Sequence, residues 1–96
     1  MVTHIVFFEL QEENKAQNIV KIKAMLEALV AKIAPLKSME VGVDFDRSAR
    51  AMDMSLISTF EDKAGLAAYA THPDHLEVVS FIKSVALSTK VVDYEH

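Results

Sequence analysis

Along this chain the apolar positions keep changing rhythm, between every second residue and every third or fourth. Val2 to Leu10 alternates and is rich in β-branched and aromatic residues, which predicts a strand. The alternation places His4, Val6, Phe8 and Leu10 on one face and Thr3, Ile5, Phe7 and Glu9 on the other. Both faces are largely apolar, so this strand is expected inside a sheet and covered on both sides. Asn14 stands where a helix N-cap would, with Gln17 in the capping-box position. Ile19, Ile22, Leu26, Leu29 and Ile33 follow at helical spacing, with Lys21, Glu27 and Lys32 opposite, and predict a helix to about Ala34. Pro35 disfavours helix in the residue before it and marks the stop.

Period two returns from Leu36 to Phe45, with Met39, Val41, Val43 and Phe45 pointing one way. Asp46 to Ala51 is polar, carries two arginines and reads as a loop. Met52 to Phe60 predicts a third strand, with Met52, Met54, Leu56 and Phe60 on one face. Glu61 and Asp62 suit a helix N-terminus, where negative charge is favourable, and a short helix should run to about Ala70. Thr71-His72-Pro73 interrupts it, and Pro73 is well placed to open a new helix. In that helix His75, Val78, Val79, Phe81, Ile82, Val85 and Ala86 share one arc, and Glu77, Ser80, Lys83 and Ser84 the other. Leu87 to Glu95 closes as a strand. The order β-α-β-β-α-β predicts an α+β, ferredoxin-like fold over residues 1–96. It is one domain, a four-stranded antiparallel sheet with helices on one face.

Composition sharpens this picture. The chain is 51% hydrophobic with only 2 Gly and 2 Pro, which argues against disorder. Helices can cover only one face of the sheet, yet Ile5 and Phe7 make the first strand's other face apolar too. Such a face exceeds what a monomer normally exposes, so a homodimer is expected. The formal net charge is -4 and the basic residues are dispersed. A nucleic-acid partner is therefore not expected, because phosphate binding wants a basic stripe. No apolar run is long enough to span a membrane. The apolar opening lacks a basic lead-in and is followed by Glu9, Glu12 and Glu13, so it does not read as a signal peptide, and cytoplasmic residence is expected. There is no cysteine, and so no thiolate chemistry.

The histidines carry the candidate chemistry. His75 lies in the apolar arc of its helix and in the first turn. The positive end of the helix dipole and burial both disfavour imidazolium, which leaves a neutral ring able to accept a proton or polarise a carbonyl. Tyr69 precedes it by one and a half turns, and the bend at Pro73 could bring its hydroxyl and the imidazole to one cavity. A phenol donor with an imidazole acceptor suffices for enolisation or aldol chemistry. The plainer alternatives are a hydrogen-bonded structural histidine that fixes the bend and a core tyrosine bonded to backbone. His4 shares its face with Val6 and Phe8. With Val78, Phe81 and Ala86 these are the residues expected to line a substrate cavity between sheet and helices. His72 is expected to cap the helix or face solvent. No metal site is expected: Pro73 separates His72 from His75, and no third ligand is near in sequence. No cofactor is expected either, since there is no Gly-rich phosphate loop.

Several of these residues together resemble the stress-responsive A/B barrel (Dabb) family. They are the first strand with His4, the Gly42 strand after Pro35, Phe60 opening a helix, Tyr69-Ala-Thr-His72-Pro73-Asp-His75, and a closing Val92-Asp93-Tyr94. The resemblance spans almost the whole chain, and Tyr-x-x-His-Pro-x-His is its most specific part. It implies a dimeric α/β barrel in which two four-stranded sheets face each other with helices outside. Plant polyketide-cyclase members use a tyrosine and a histidine of this motif in a cofactor-free aldol cyclisation, which the resemblance maps to Tyr69 and His75. Their first-strand histidine maps to His4. Those enzymes have a Trp where this chain has Ala86, and helix 1 here offers Met25 and Leu26 but no Tyr, so the resemblance does not carry over the substrate. Three functions remain in view. One is a binder of a small hydrophobic carbonyl compound with cofactor-free, cyclase- or isomerase-like acid–base chemistry. Another is a non-catalytic dimeric stress-response module with structural histidines. The third is a heme- or oxygen-handling relative with His75 as ligand.

Overall fold

Strand β1 (Val2–Leu10) leads to helix α1 (Lys15–Ala28), a 3-10 turn at Leu29–Ala31, strands β2 (Ser38–Val43) and β3 (Met54–Phe60), helices α2 (Lys63–Thr71) and α3 (Pro73–Val85), and strand β4 (Ala86–Glu95). All 96 residues are described in this computed structural model. The strands pair antiparallel in the order β2-β3-β1-β4. The ferredoxin-like α+β fold expected from the patterning therefore forms, with β1 internal as its two apolar faces require.

The register decides which residues share a face. His4 lies between Ser58 and Asp93, and Val6 between Leu56 and Val91, all on the helix side of the sheet. There Phe8, Leu56 and Phe60 pack against Ile22 and Leu26 of α1 and Ile82 of α3 in one continuous core. Burying each such side chain contributes roughly 1.5–3 kcal/mol. On the opposite side Ile5 sits between Ile57 and Val92 in one row across three strands. Phe7, Ile57, Val92 and Tyr94 are exposed on that face, and an open groove of about 570 Å³ runs beside Phe7, Val43, Phe45, Arg50 and Met52.

Several element ends depart from the expectation, each for a local reason. Asn14 adopts left-handed backbone (φ 56) and its side chain makes no capping bond, so the capping box with Gln17 does not form. Helix α1 stops at Ala28 and tightens into a 3-10 turn, whose i+3 bonds (Lys32 N–H to Leu29 O, 3.0 Å) satisfy carbonyls that would otherwise be orphaned. Strand β2 ends at Val43, because the Asp44 carboxylate accepts from the Arg47 N–H (2.8 Å) and turns the chain. Phe45 consequently lies 93% exposed instead of extending the strand face. Met52 falls outside β3, and Ala86 opens β4 instead of continuing the α3 arc. Elsewhere capping follows the expectation: Asp62 accepts from the Gly65 N–H (2.8 Å) to start α2, and His72 Nδ1 accepts from the Asp74 N–H (3.1 Å) to start α3.

Where β1 ends and β3 begins, Asp53 is buried and fully engaged. Its carboxylate accepts from the Leu10 N–H at 2.7 Å, the Arg47 guanidinium at 2.9 Å and the Lys15 ammonium at 3.3 Å. Burial alone would raise its pKa, but the Leu10 N–H, Lys15 and Arg47 outweigh it and hold the group below the usual carboxylate value. Lys15 in turn is raised, first by its bond to Glu12 and then, against desolvation, by Asp53.

Candidate functional site

Three elements meet at the other end of β1. His4 stands on the helix face near the start of the strand. The α2–α3 junction is fixed by Pro73, which cannot donate the backbone bond that would continue one helix. That junction carries Tyr69 in the last turn of α2 and His75 in the first turn of α3. The Tyr69 ring packs 4.2 Å from His75, 5.1 Å from Phe60 and 6.4 Å from His4, centre to centre. The sequence motif thus does bring Tyr69, His75 and His4 together.

Each histidine has one nitrogen committed. His75 Nδ1 lies 3.1 Å from the Ala70 carbonyl oxygen, which can only accept, so Nδ1 carries the hydrogen and Nε2 the lone pair. His4 Nδ1 is hydrogen-bonded to the Asp93 carboxylate of β4, which leaves its Nε2 uncommitted as well. Burial holds His75 below the ordinary histidine value; the bond to Ala70 pulls the other way, and His4 and His72 nearby lower it further. Tyr69 is 1% exposed and its hydroxyl is a buried polar atom without a partner. Burial pushes its pKa up to about 12, so the phenol keeps its proton near neutrality and is available as a donor.

Beside these rings lies a cavity of about 290 Å³ between α3 and the β1 and β4 strands. That is at the small end of small-molecule sites. His4, Val6, Phe8, His75 and Val78 line it, as expected, together with residues that the patterning did not single out, notably Leu56, Val79, Lys83 and Val91. Tyr69 is not part of the wall; it stands behind His75.

Two expected lining residues are elsewhere. Phe81 projects from the flank of α3 toward α1, where the Lys21 ammonium sits 4.1 Å from its ring centre. Ala86 has left the helix to pair with Leu10. Asp93 was legible only as part of the closing Val-Asp-Tyr, because nothing local marks a strand carboxylate as the partner of a histidine 89 residues away. No group of three or more His, Cys, Asp or Glu is placed to hold a metal ion. No helix is long and apolar enough to cross a membrane.

A β-α-β-β-α-β chain with a four-stranded antiparallel sheet and its helices on one face defines a ferredoxin-like α+β protein. The model of the stress responsive A/B barrel domain (Dabb) matches residues 2–96, and the chain belongs to that family. A stress-response A/B barrel domain-containing protein of Arabidopsis thaliana is 31% identical over 94 residues, covering 95% of this chain and 82% of its own. A dimeric protein of unknown function and ferredoxin-like fold from Bacteroides fragilis superposes with a TM-score of 0.91 at 32% identity, covering 99% of this chain and 95% of its own. A hydroxynitrile lyase from Passiflora edulis superposes with a TM-score of 0.86 at 23% identity, covering 97% and 90%; that likeness is one of fold alone.

Proposed function

We propose that this protein is a homodimeric Dabb protein whose cavity binds a small hydrophobic carbonyl compound, with cofactor-free acid–base chemistry carried by His75 and Tyr69. One observation carries the reading: two imidazoles wall an apolar cavity with Nδ1 committed to the protein and Nε2 free. His75, neutral through burial, takes a proton from the carbon beside the carbonyl at Nε2. The C–H electron pair forms the new C=C bond and the carbonyl π pair moves to oxygen, giving an enolate. Tyr69 stands behind His75, so its part requires a shift of the His75 ring that opens the cavity to its hydroxyl; that hydroxyl has no partner in the protein, does not ionise near neutrality and then donates to the enolate oxygen. His75 then returns the proton to carbon, or the enolate carbon attacks a second carbonyl, whose π pair moves to its oxygen, and that alkoxide takes the proton from His75. The Asp93 carboxylate fixes the tautomer of His4 as the second acceptor in the wall.

The dimer follows from the open sheet face, where the row Ile57, Ile5 and Val92 and the neighbouring Phe7 have no covering layer. A second copy covers them, and the dimeric Bacteroides relative of the same fold supports this. The interface should bury more than about 1,200 Å² in total. Sedimentation at low micromolar concentration that finds only a 10.7 kDa species would refute it.

The ligand test uses methyl hexyl ketone as probe and melting shifts as readout. The parent should be stabilised by the ketone, and His75→Ala should lose that response while remaining a folded dimer. A second reading, a stress-response module with structural histidines, draws on the full burial of Tyr69 and its absence from the cavity wall. It predicts no response of the parent and simple destabilisation by His75→Ala.

A further inference from the structure

We infer that Lys83 makes this cavity select ligands bearing a carboxylate at the end remote from the imidazoles, so that the ligand class is the amphipathic oxo acid. The inference rests on the reading above that the cavity takes a hydrophobic carbonyl compound. Of the 12 residues in the wall, Lys83 is the one with a permanent charge. Its ammonium makes no ion pair or hydrogen bond within the chain. Lys15, Lys23, Lys37 and Lys63 each meet a carboxylate, while Lys21, Lys32 and Lys90 also have none but do not line the cavity. The Asp93 carboxylate of β4 is already held by His4.

The spacing along α3 orders the wall chemically. Lys83 follows His75 by eight residues with Val79 midway, an i, i+4, i+8 stripe on one helix face. Two turns of helix separate them by about 12 Å. Helical side chains lean toward the N-terminus, so the ammonium reaches back along the cavity and shortens that gap. Val79, Ile82 and Val91 supply apolar wall, and Thr89 adds a hydroxyl. From end to end the cavity therefore offers imidazole acceptors, hydrocarbon and a cation. A carbonyl and a carboxylate about six to eight bonds apart match that order. The chain's net charge of -4 would otherwise repel such an anion, so the local cation decides the preference. A lysine in the last turn of a helix also complements the helix dipole. That accounts for a positive charge at this turn but predicts no ligand selectivity.

The test compares methyl hexyl ketone with the eight-carbon methyl-keto acid that carries a terminal carboxylate, by calorimetry on the parent, Lys83→Gln, Lys83→Arg and His75→Ala. The parent should bind the acid about two- to fivefold tighter than the ketone, the gain expected of one exposed ion pair. The gap should narrow as salt rises. Lys83→Gln should erase it by weakening the acid more than the ketone, and Lys83→Arg should retain it. A gap that is absent in the parent, or that survives Lys83→Gln, overturns the role of Lys83. Ketone binding that is still lost in His75→Ala would then show that the proposed function stands without it. Failure of both probes on the parent would remove the proposed function and this inference with it.

Discussion

Strand β1 anchors a polar cluster near each end, one buried and one half-buried around Tyr69, and the two are built on opposite terms. At Leu10 the Asp53 carboxylate has every strong donor within reach: a backbone N–H, a guanidinium and an ammonium. Six residues back, roughly 20 Å along the strand, His4, Tyr69 and His75 leave a hydroxyl without a partner and two ring nitrogens uncommitted. A satisfied buried network rigidifies the structure around it, whereas an unsatisfied one costs stability and is retained where it meets a ligand. The first cluster therefore ties the loop after β2 and the start of α1 to the sheet. The second leaves bonding capacity unused within the chain, which is the capacity the proposed function assigns to a ligand.

The largest effect should come from breaking the first cluster. Asp53→Asn removes the charge that Lys15 and Arg47 share and should cost about 2–3 kcal/mol. In a domain of this size that lowers the melting temperature by roughly 10–20 °C. Folding lowers the Asp53 pKa from 3.8, so the unfolded chain takes up the proton first as pH falls. The contribution is complete above the unfolded value and is lost as pH falls through the folded one. The deficit of Asp53→Asn in urea unfolding should accordingly shrink in acid. A variant that melts with the parent at neutral pH would mean that solvent serves Lys15 and Arg47 equally well.

His75→Ala should have an intermediate effect, and one of a different kind. It removes the bond to the Ala70 carbonyl across the helix junction, which is worth about 1 kcal/mol. Folding lowers the His75 pKa below 6.5, so the stability gained from keeping the ring neutral is complete above that value and declines as pH falls below it. Parent and variant stability should therefore converge in mildly acidic solution. Parallel stability profiles through that range would show that His75 titrates as it does in the unfolded chain.

The smallest change is the one that most cleanly separates the clusters. Tyr69→Phe deletes an unpartnered buried hydroxyl, so stability should stay level or rise by up to about 1 kcal/mol. Turnover of a carbonyl substrate should fall more than its binding, as for a donor whose bond strengthens in the transition state. A marked loss of stability would instead place the hydroxyl in a structural bond and merge the second cluster with the first.

Much of this arrangement was legible in the amino-acid sequence. Alternation at Val2 to Leu10 determined an internal strand with His4, Val6 and Phe8 on its helix face. Helical periodicity broken at Pro73 determined that Tyr69 and His75 would flank a bend, and alternation at Ile5 and Phe7 determined that the sheet's opposite face is apolar. These are local patterns, and the side chains obey them because backbone periodicity alone sets which way they point. Other features had no local signature. His4 meets Asp93 because β1 and β4 pair in one particular register. Asp53 gathers Leu10, Lys15 and Arg47 from three separate segments. Phe81 shares the apolar arc of α3 yet turns to Lys21, and Lys83 sits on the polar arc yet reaches the cavity, because the position of α3 over the sheet decides where each flank of its stripe looks. Sequence period fixes a side chain's face; only the register of strands and the docking of helices fixes what that face meets.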